Sequence, residues 1–493
     1  MKYTVLCLGL LALSTVAFAD PPWSDAVKAA DVGDTINEGE SDLAFHGDYI
    51  YCICNVAERS RVAVIPYGRS TDAGRTWTTT WWMDLTGPSR WHSDPIIIAD
   101  DTGYVHMFIQ FSSILIRHYL SVDSGQTWID TVDVTVSGRV DKPWACYRGN
   151  ELYMCWQDLS TGSRGIWFGK STDCGRNWSL QRVDSRTYLT GIDVSPSGIL
   201  YIALRSGTGL HVFKSTDAGE TWPDSLKKTL DNQVSYSDGY GDRAPLTSIA
   251  APTDDNVFVT VVDDRHGNWD ILYSRSTDAG ATWTPLAVLN DSTAGGQCKG
   301  WVEADPYGRL HFLWYHTPSW PTSAASWWSV RYQHSDDYGA TISPSIRLND
   351  TVFRSVTDFL GEYHIIETDS NVARCVWTDG REGDNDLWFA EAELDSVGVS
   401  DNPFKVRRPA SVWMETPTLS RSSDLTVRFG IRRPAQARLE VFDALGRSLL
   451  GMDLGFLEPG LHQARLSGLP SGQTLFVRLD AGETLTRKIQ LLE

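Results

Sequence analysis

One eight-residue pattern, Ser-x-Asp-x-Gly-x-x-Trp, occurs five times in this chain and constrains its fold more than any other feature. The copies begin at Ser70, Ser121, Ser171, Ser215 and Ser276. An Asp carboxylate accepts backbone N–H bonds across a tight turn, and Gly adopts positive φ without steric cost. A catalytic site has no use for five copies, whereas a stabilising turn does. The pattern therefore predicts a structural turn, and its aspartates are Asp72, Asp123, Asp173, Asp217 and Asp278.

Each copy closes a longer unit of short apolar runs with turns between them. The first two runs of a unit are joined by turn residues, as in HGD at 46–48 and DPYG at 305–308. We count seven such units; the sixth carries SDDYGATI at 335–342, with Ile342 in place of Trp, and the seventh has no copy. Period-two runs that repeat in this way are typical of a β-propeller whose blades are four-stranded meanders. The predicted fold class is all-β.

The five repeats resemble the Asp boxes, or BNR repeats, of the sialidase superfamily, over roughly residues 40 to 395. The resemblance implies that each box is the turn between the third and fourth strands of a blade, with its Trp packed under its own blade. The catalytic domain of that family has six blades, whereas this chain has seven units. Six or seven blades therefore remain open.

The chain begins with features of a secretory signal peptide. A lysine and an apolar run precede Ala17-Phe18-Ala19, the small-x-small pattern of signal peptidase cleavage. We expect residues 1–19 to be removed after Ala19 and the protein to be secreted, extracellular or at the cell surface. No later run reaches the roughly 20 apolar residues of a membrane helix. A formal net charge of −19 argues against a nucleic-acid partner.

The composition changes near residue 395, where the acidic, Trp-rich region gives way to a slightly basic tail with no repeat. We predict a propeller at 20–395, a linker at 396–403 and a small Ig-like β-sandwich at 404–493. The segments LEVFDALGRSLL at 439–450 and TRKIQLLE at 486–493 resemble the C-terminal sorting domain of type IX secretion substrates. That resemblance implies the secretion machinery as a partner; an accessory domain that binds nothing is the alternative.

Seven cysteines remain after cleavage, and their irregular spacing indicates neither a disulfide framework nor a metal cluster. We predict no cofactor and no metal. Cys146 and Cys155 are placed where they could approach one another across a hairpin.

Because meander strands are antiparallel, the boxes share one face with the turns between first and second strands. A binding mouth on the other face would collect residues at the first-strand starts and after the second strands. These include Arg90, His92, Asp94, Arg139, Asp141, Lys142, Arg243, Lys299, Glu362, Tyr363, His364, Asp158, Arg265, His316, Asp379 and Arg381. Guanidinium groups hold carboxylates in two-point contacts, so this mouth suits a glycan or another small anionic ligand. Polar residues that only solvate loops are the alternative for each position.

Sialidases use three arginines for the substrate carboxylate, an Asp as acid/base and a Tyr paired with a Glu as nucleophile. The resemblance implies Asp94, Tyr363 and Glu303 as catalytic candidates. The substrate-binding candidates are Arg90, His92, Arg243, Arg265 and Arg381. The family's R-I-P arginine has no counterpart, since the matching stretch is SDLAFHGDY at 41–49. Two functions therefore remain open: glycoside hydrolysis of the exo-α-sialidase type, and a non-catalytic propeller used for surface binding or adhesion.

Overall fold

The computed structural model contains seven four-stranded antiparallel sheets followed by a two-sheet sandwich. It describes residues 21–30, 33, 37–56, 64–83, 92–111, 113–135, 138–188, 190–237, 239–240, 247–357, 360–369, 371–394, 412–415, 419–420, 425–431, 435–444, 446–457, 460–470, 472–481 and 484–491. The predicted fold class is confirmed, and the number of blades is seven. The predicted signal peptide and the whole of the predicted linker lie outside the described residues.

Each blade is a meander in which consecutive strands pair. The N-terminal strand β1 is Val27–Ala30. The strands of blades one to three are β2 Glu38–His46, β3 Tyr49–Val56, β4 Val64–Ser70, β5 Thr78–Met83, β6 His92–Ala99, β7 Val105–Phe111, β8 Leu115–Ser121, β9 Ile129–Asp133, β10 Val140–Arg148, β11 Glu151–Asp158, β12 Gly165–Ser171 and β13 Ser179–Asp184. Those of blades four and five are β14 Thr190–Val194, β15 Leu200–Ser206, β16 Gly209–Ser215, β17 Lys227–Asp231, β18 Thr247–Ala250, β19 Val257–Asp263, β20 Asp270–Ser276 and β21 Ala287–Val288. Those of blades six and seven are β22 Gly296–Ala304, β23 Leu310–Thr317, β24 Ser329–Ser335, β25 Ile346–Arg347, β26 Ile365–Thr368, β27 Val372–Asp379 and β28 Asp386–Glu393.

The second strand of each blade is buried on both faces because it lies between the two neighbouring blades. β15 and β19, for example, read LYIALRS and VFVTVVD and are buried along almost their whole length. Such strands need apolar side chains at successive positions, which explains their continuous Val, Ile and Leu content. A single short 3₁₀ helix, Asp224–Leu226, interrupts the described part of the propeller.

The N-terminus closes the ring. β1 pairs antiparallel with β28, so the chain's first strand supplies the fourth strand of the seventh blade. The absence of a box in the seventh unit follows from this closure, because no turn there connects a third strand to a fourth.

The Ser-x-Asp-x-Gly repeats, called boxes below, form nearly identical turns. In the box at Ser215, the Ser215 hydroxyl donates to Asp217, which also accepts the backbone N–H and hydroxyl of Thr221 at 2.9 and 2.6 Å. The residue before the glycine and the glycine itself both have positive φ, 52° and 85° at Ala218 and Gly219. The sixth box, at Ser335, makes the same bonds although Ile342 replaces the tryptophan.

The box tryptophans pack against the preceding blade, whereas the sequence predicted packing under their own blade. Trp222 of blade four stacks edge-on against Phe168 of blade three, with ring centroids 5.2 Å apart. Trp178 meets Phe108 of blade two in the same way, at 5.8 Å. A Cβ at Gly219 would lie 2.4 Å from the Phe168 ring, so this glycine permits both the turn and the close blade contact. Each box therefore ties two blades together.

Four inner strands contain a bulge at the same height. The pairing register shifts within β2, β6, β10 and β22, each time across a residue with positive φ. These residues are Glu40, Asp94, Lys142 and Lys299, with φ between 46° and 56°. A bulge re-aims one side chain relative to the regular alternation of a strand. All four bulges lie at the strand starts, on the face opposite the boxes.

The C-terminal region folds as a sandwich with its own core. One sheet contains β29 Val412–Glu415, β31 Leu425–Ile431 and β34 Gly460–Leu466. The other contains β30 Leu419–Ser420, β32 Ala435–Asp443, β33 Ser448–Leu457, β35 Thr474–Asp480 and β36 Thr484–Leu491. Val427, Leu439 and Val477 are among its buried residues. The role of this domain in export stays a prediction.

Cys146 and Cys155 are both free thiols. The strand register places Cys146 opposite Tyr153 and Cys155 opposite Trp144, so the two cysteines are not cross-strand partners. In the described part of the chain, no helix has the length and apolar character needed to cross a membrane.

Candidate functional site

The first strands of the blades surround a central channel, and two groups of ionisable side chains lie at different heights in it. One group lies at the strand starts, where the bulges direct Glu40, Asp94 and Lys142 inward. The other lies toward the strand ends, near the turns that contact the boxes. The N–H of Ala73 in the first box donates to Asp48 in the first such turn, at 3.0 Å, which identifies the box face.

The first group, here called the strand-start cluster, consists of Glu40, Asp94, Lys142 and Glu362. The Lys142 ammonium lies 3.1 Å from Glu40 and 2.6 Å from Asp94, and it also contacts Glu362. One oxygen from each carboxylate lies within 4.8 Å of the other two. Such a trio could ligate a cation, but the ammonium already contacts all three carboxylates.

The environment shifts the carboxyl groups of the cluster in opposite directions. Burial, opposed by Lys142 and reinforced by repulsion from Asp94, raises the pKa of Glu40 well above its usual value. Burial also acts to raise the pKa of Glu362, but attraction and hydrogen bonding to Lys142 outweigh it and lower that pKa. The cluster therefore combines a carboxyl group whose pKa is raised with one whose pKa is lowered.

Aromatic side chains separate the strand-start cluster from the rest of the channel. Tyr363 lies with its ring centroid 6.0 Å from the Lys142 ammonium. Trp144 packs edge-on against Tyr363, with ring centroids 4.9 Å apart, and in a tilted arrangement against Trp301 at 4.7 Å. Tyr363 and Trp144 are both buried, and Trp144 also lines the cavity described next, so the stack lies between that cavity and the strand-start cluster.

Below the stack lies a cavity of about 340 Å³ that reaches the box face, here called the channel cavity. Asp193, Glu303 and Glu367 project into it from the fourth, sixth and seventh blades. Burial, followed by repulsion from Asp193, raises the pKa of Glu303 to about 8. Burial raises the pKa of Asp193 to about 6 and that of Glu367 well above its usual value.

The structure separates the three catalytic candidates. Asp94 and Tyr363 lie together at the strand-start cluster, whereas Glu303 lies in the channel cavity beyond the aromatic stack. Burial raises the pKa of Tyr363 well above its usual range. The nearby charges that also act on this pKa are those of Glu40, Asp94 and Lys142. The charged groups that act on the pKa of Glu303 are instead Asp193 and Asp305. The Tyr363–Glu303 pairing suggested by the sequence is therefore not formed.

Arg265 and Arg381, the substrate-binding candidates among the described arginines, do not converge on a common ligand position. Arg265 makes a two-point contact with Asp263, both distances being 2.8 Å, and a third contact with Asp231. Arg381 binds Asp379, the last residue of β27, at 2.9 Å and also binds Asp350. Both guanidinium groups are thus neutralised by carboxylates, on separate blades. Arg90 and Arg243 lie outside the described residues.

His92 is the first residue of β6, and its buried ring packs edge-on against Phe111, with ring centroids 4.5 Å apart. Among the positions that the sequence marked at the mouth, the structure brings Asp94, Lys142 and Glu362 together. Glu40 was missed, because its inward direction depends on a bulge. The acidic run Glu-Ser-Asp at 40–42 could have drawn attention to Glu40, but nothing in these residue types predicts a bulge.

The fold and the site define a class: a seven-bladed propeller, closed by its N-terminal strand, with carboxylates at two heights of its channel. No protein-family model matches the chain, and no curated protein matches it. Among solved structures, it is similar to the alpha-L-arabinanase of Penicillium chrysogenum, with 12% identity over 76% of this chain and 99% of that one, and a TM-score of 0.45.

Two further structures are similar to this chain at comparably low sequence identity. A mutant alpha-L-arabinofuranosidase from Fusarium graminearum shares 14% identity over 76% of this chain and 98% of that one, with a TM-score of 0.45. A mutant NanB sialidase from Streptococcus pneumoniae shares 12% identity over 78% of this chain and 72% of that one, with a TM-score of 0.39. The order of strands within the seven sheets defines the propeller independently of these neighbours.

Proposed function

We propose that this protein acts on glycans and hydrolyses a glycosidic bond at the strand-start cluster, with Glu40 as general acid and Glu362 as nucleophile. The observation that carries the proposal is the convergence of carboxyl groups whose pKa values are displaced in opposite directions. Pairs of this kind are how an active site assigns acid and base roles to chemically similar groups.

The spacing of the carboxyl groups supports a retaining reaction. One oxygen of each carboxyl group lies within 4.8 Å of one oxygen of the others, which is below the roughly 5 to 5.5 Å between the two carboxyl groups of retaining glycosidases. Inverting enzymes need about 6.5 to 9.5 Å to admit a water molecule between the groups. We therefore expect the product to keep the anomeric configuration of the substrate.

The reaction would proceed in two displacements. The Glu362 carboxylate attacks the anomeric carbon while Glu40 gives its proton to the departing glycosidic oxygen, which leaves a glycosyl ester on Glu362. Water then attacks the same carbon, Glu40 takes its proton, and the sugar leaves with Glu362 regenerated. Lys142 keeps Glu362 ionised, and Asp94 helps to hold the ammonium in place at 2.6 Å.

The test is hydrolysis of a panel of aryl glycosides, including α-L-arabinofuranosides, β-galactosides and an α-sialoside, by the mature protein. Glu40→Gln should lower the rate by about 10²- to 10⁴-fold, as loss of a general acid does. Glu362→Ala should abolish turnover, and added azide should restore it by forming a glycosyl azide with inverted configuration. Glu382→Gln, an exposed carboxylate on the same face, is the matched control.

Hydrolysis that persists in both Glu40→Gln and Glu362→Ala would disprove this assignment. A sialoside hydrolysed only by proteins that retain Tyr363 would instead support the sialidase-type machinery. Folding of each variant is checked by its melting temperature, so that loss of activity is not confused with loss of structure.

The burial of the cluster favours a second candidate function. Only 10% of the Lys142 side chain and 17% of the Glu362 side chain are exposed, and the ammonium satisfies three carboxylates. A cluster that serves only to close the channel would look the same. In that case the protein is a non-catalytic binding or adhesion module, and it would bind glycans on an array while hydrolysing none of the panel.

A further inference from the structure

We propose that the channel cavity is a separate binding site for a neutral sugar, open on the Asp-box face and held by Glu303, Asp193 and the Trp144–Trp301 pair. This site lies beyond the aromatic stack from the strand-start cluster. It does not depend on the proposed hydrolysis.

The shape of the cavity is that of a blind pocket. Its open end is formed by turn residues such as Gly47 and Asp101, which are exposed. Its inner end is lined by Trp144 and Trp301, and Trp144 packs in turn against Tyr363. A volume of about 340 Å³ falls at the lower end of the range of roughly 300 to 1,000 Å³ for small-molecule sites.

The polar groups of the cavity include donors as well as acceptors. Trp144 lines it and is 5% exposed, yet its indole N–H donates to no protein atom in the described structure. The indole N–H of Trp301 likewise donates to no protein atom in the described structure. Buried donors of this kind call for an acceptor, since leaving one unpaired costs free energy. A metal cation offers no acceptor, whereas sugar hydroxyls both donate and accept.

The electrostatics of the cavity exclude an anionic ligand. Six acidic residues line it, including Asp193, Glu303 and Glu367, and its described lining contains no lysine or arginine. Burial raises the pKa of Asp193 to about 6, and burial together with repulsion from Asp193 raises that of Glu303 to about 8. Glu303 is therefore largely neutral at pH 7 and can donate a hydrogen bond, while Asp193 already accepts the N–H groups of Val194 and Ala251.

The lining combines these polar groups with apolar rings. Phe45, Tyr147, Trp144 and Trp301 line the same space as the carboxyl groups. Aromatic rings cover the C–H faces of a sugar while carboxyl and indole groups bind its hydroxyls, so the two kinds of side chain match the two surfaces of the ligand.

The test is titration of the full mature protein with D-glucose, D-galactose, D-xylose, L-arabinose, N-acetyl-D-glucosamine, lactose and cellobiose. Binding is followed by calorimetry and by tryptophan fluorescence, because Trp144 and Trp301 line the cavity. N-acetylneuraminic acid is the anionic comparison and CaCl₂ the cationic one. We expect saturable binding of at least one neutral sugar and none of the anionic sugar.

Variants then locate the site. Glu303→Ala should weaken the sugar about tenfold or more, because it removes a buried donor and acceptor. Glu303→Gln should stay within about threefold, since an amide replaces the protonated carboxyl. Glu220→Gln, an exposed carboxylate on the same face, should change nothing. Glu362→Ala should also leave this affinity unchanged, which separates the channel cavity from the hydrolytic site.

Three results would overturn the proposal. The first is that no neutral sugar saturates the protein up to about 100 mM, and the second is that Glu303→Ala binds the sugar as tightly as wild type. The third is that CaCl₂ binds tightly and that Glu303→Gln abolishes this calcium binding. The last result would make the cavity a cation site. Should Glu303→Ala fail to fold, Trp301→Leu replaces it, with the same tenfold loss expected.

Discussion

Replacing Glu303 with Gln should make the propeller more stable at high pH and leave it nearly unchanged at low pH. In the folded protein, burial and repulsion from Asp193 raise the pKa of Glu303 from 4.5 to about 8. The folded state therefore binds a proton that the unfolded chain releases, and stability falls as the pH rises through this window. Stabilisation by the neutral carboxyl is complete below about pH 4.5 and is lost as the pH passes about 8.

The magnitude follows from the width of the window. A difference of 3.5 pH units between the two pKa values corresponds to about 4.8 kcal/mol, at 1.36 kcal/mol per unit. Asp193 and Glu367 share the repulsion, so removing one of the three charges relieves only part of it. We expect Glu303→Gln to gain roughly 2 to 4 kcal/mol at pH 9 and less than about 1 kcal/mol at pH 5.

The assay is urea unfolding at pH 5 and pH 9, followed by tryptophan fluorescence. Every tryptophan except Trp413 lies outside the C-terminal sandwich, so the signal reports on the propeller. Glu220→Gln, exposed on the same face, should not change with pH relative to wild type. A Glu303→Gln variant that is equally destabilised at both values would show that its carboxyl is not strained in the folded state.

Three further predictions concern the boxes, the arginines and the tail. Asp217→Ala should lower propeller stability by roughly 2 kcal/mol, because its carboxylate accepts three hydrogen bonds in the turn; chemical denaturation measures this, and an effect on sugar binding without a stability change would contradict the structural role. Arg381→Ala should cost about 3 to 5 kcal/mol, since it leaves the fully buried Asp379 unpaired; an unchanged melting temperature with weaker anion binding would restore the arginine to a ligand site. Deleting residues 401–493 should leave a propeller with the same fluorescence-detected melting curve but retained in the periplasm; a propeller that no longer folds would show that the boundary is wrong.

The repeat units were readable from the sequence because they are local. Ser215, Asp217, Gly219 and Thr221 lie within seven residues, and the bonds that define the turn are made inside that stretch. The seven units, their turns and the separate tail followed from the same short-range signals. The packing partner of Trp222 could not be predicted in this way, because Phe168 belongs to the preceding blade.

The site depended on tertiary structure. Asp94, Lys142 and Glu362 could be assigned to one face by counting antiparallel strands, but their convergence on a single ammonium required bulges that carry no clear residue signature. Arg265 and Arg381 appeared free to bind a ligand until the fold placed Asp231 and Asp350 beside them. The sequence by itself therefore determined the blade and its repetition, which arise from contacts a few residues apart. Closure by β1, the strand-start cluster and the channel cavity were decided only by the ring, which brings residues from distant blades to a common axis.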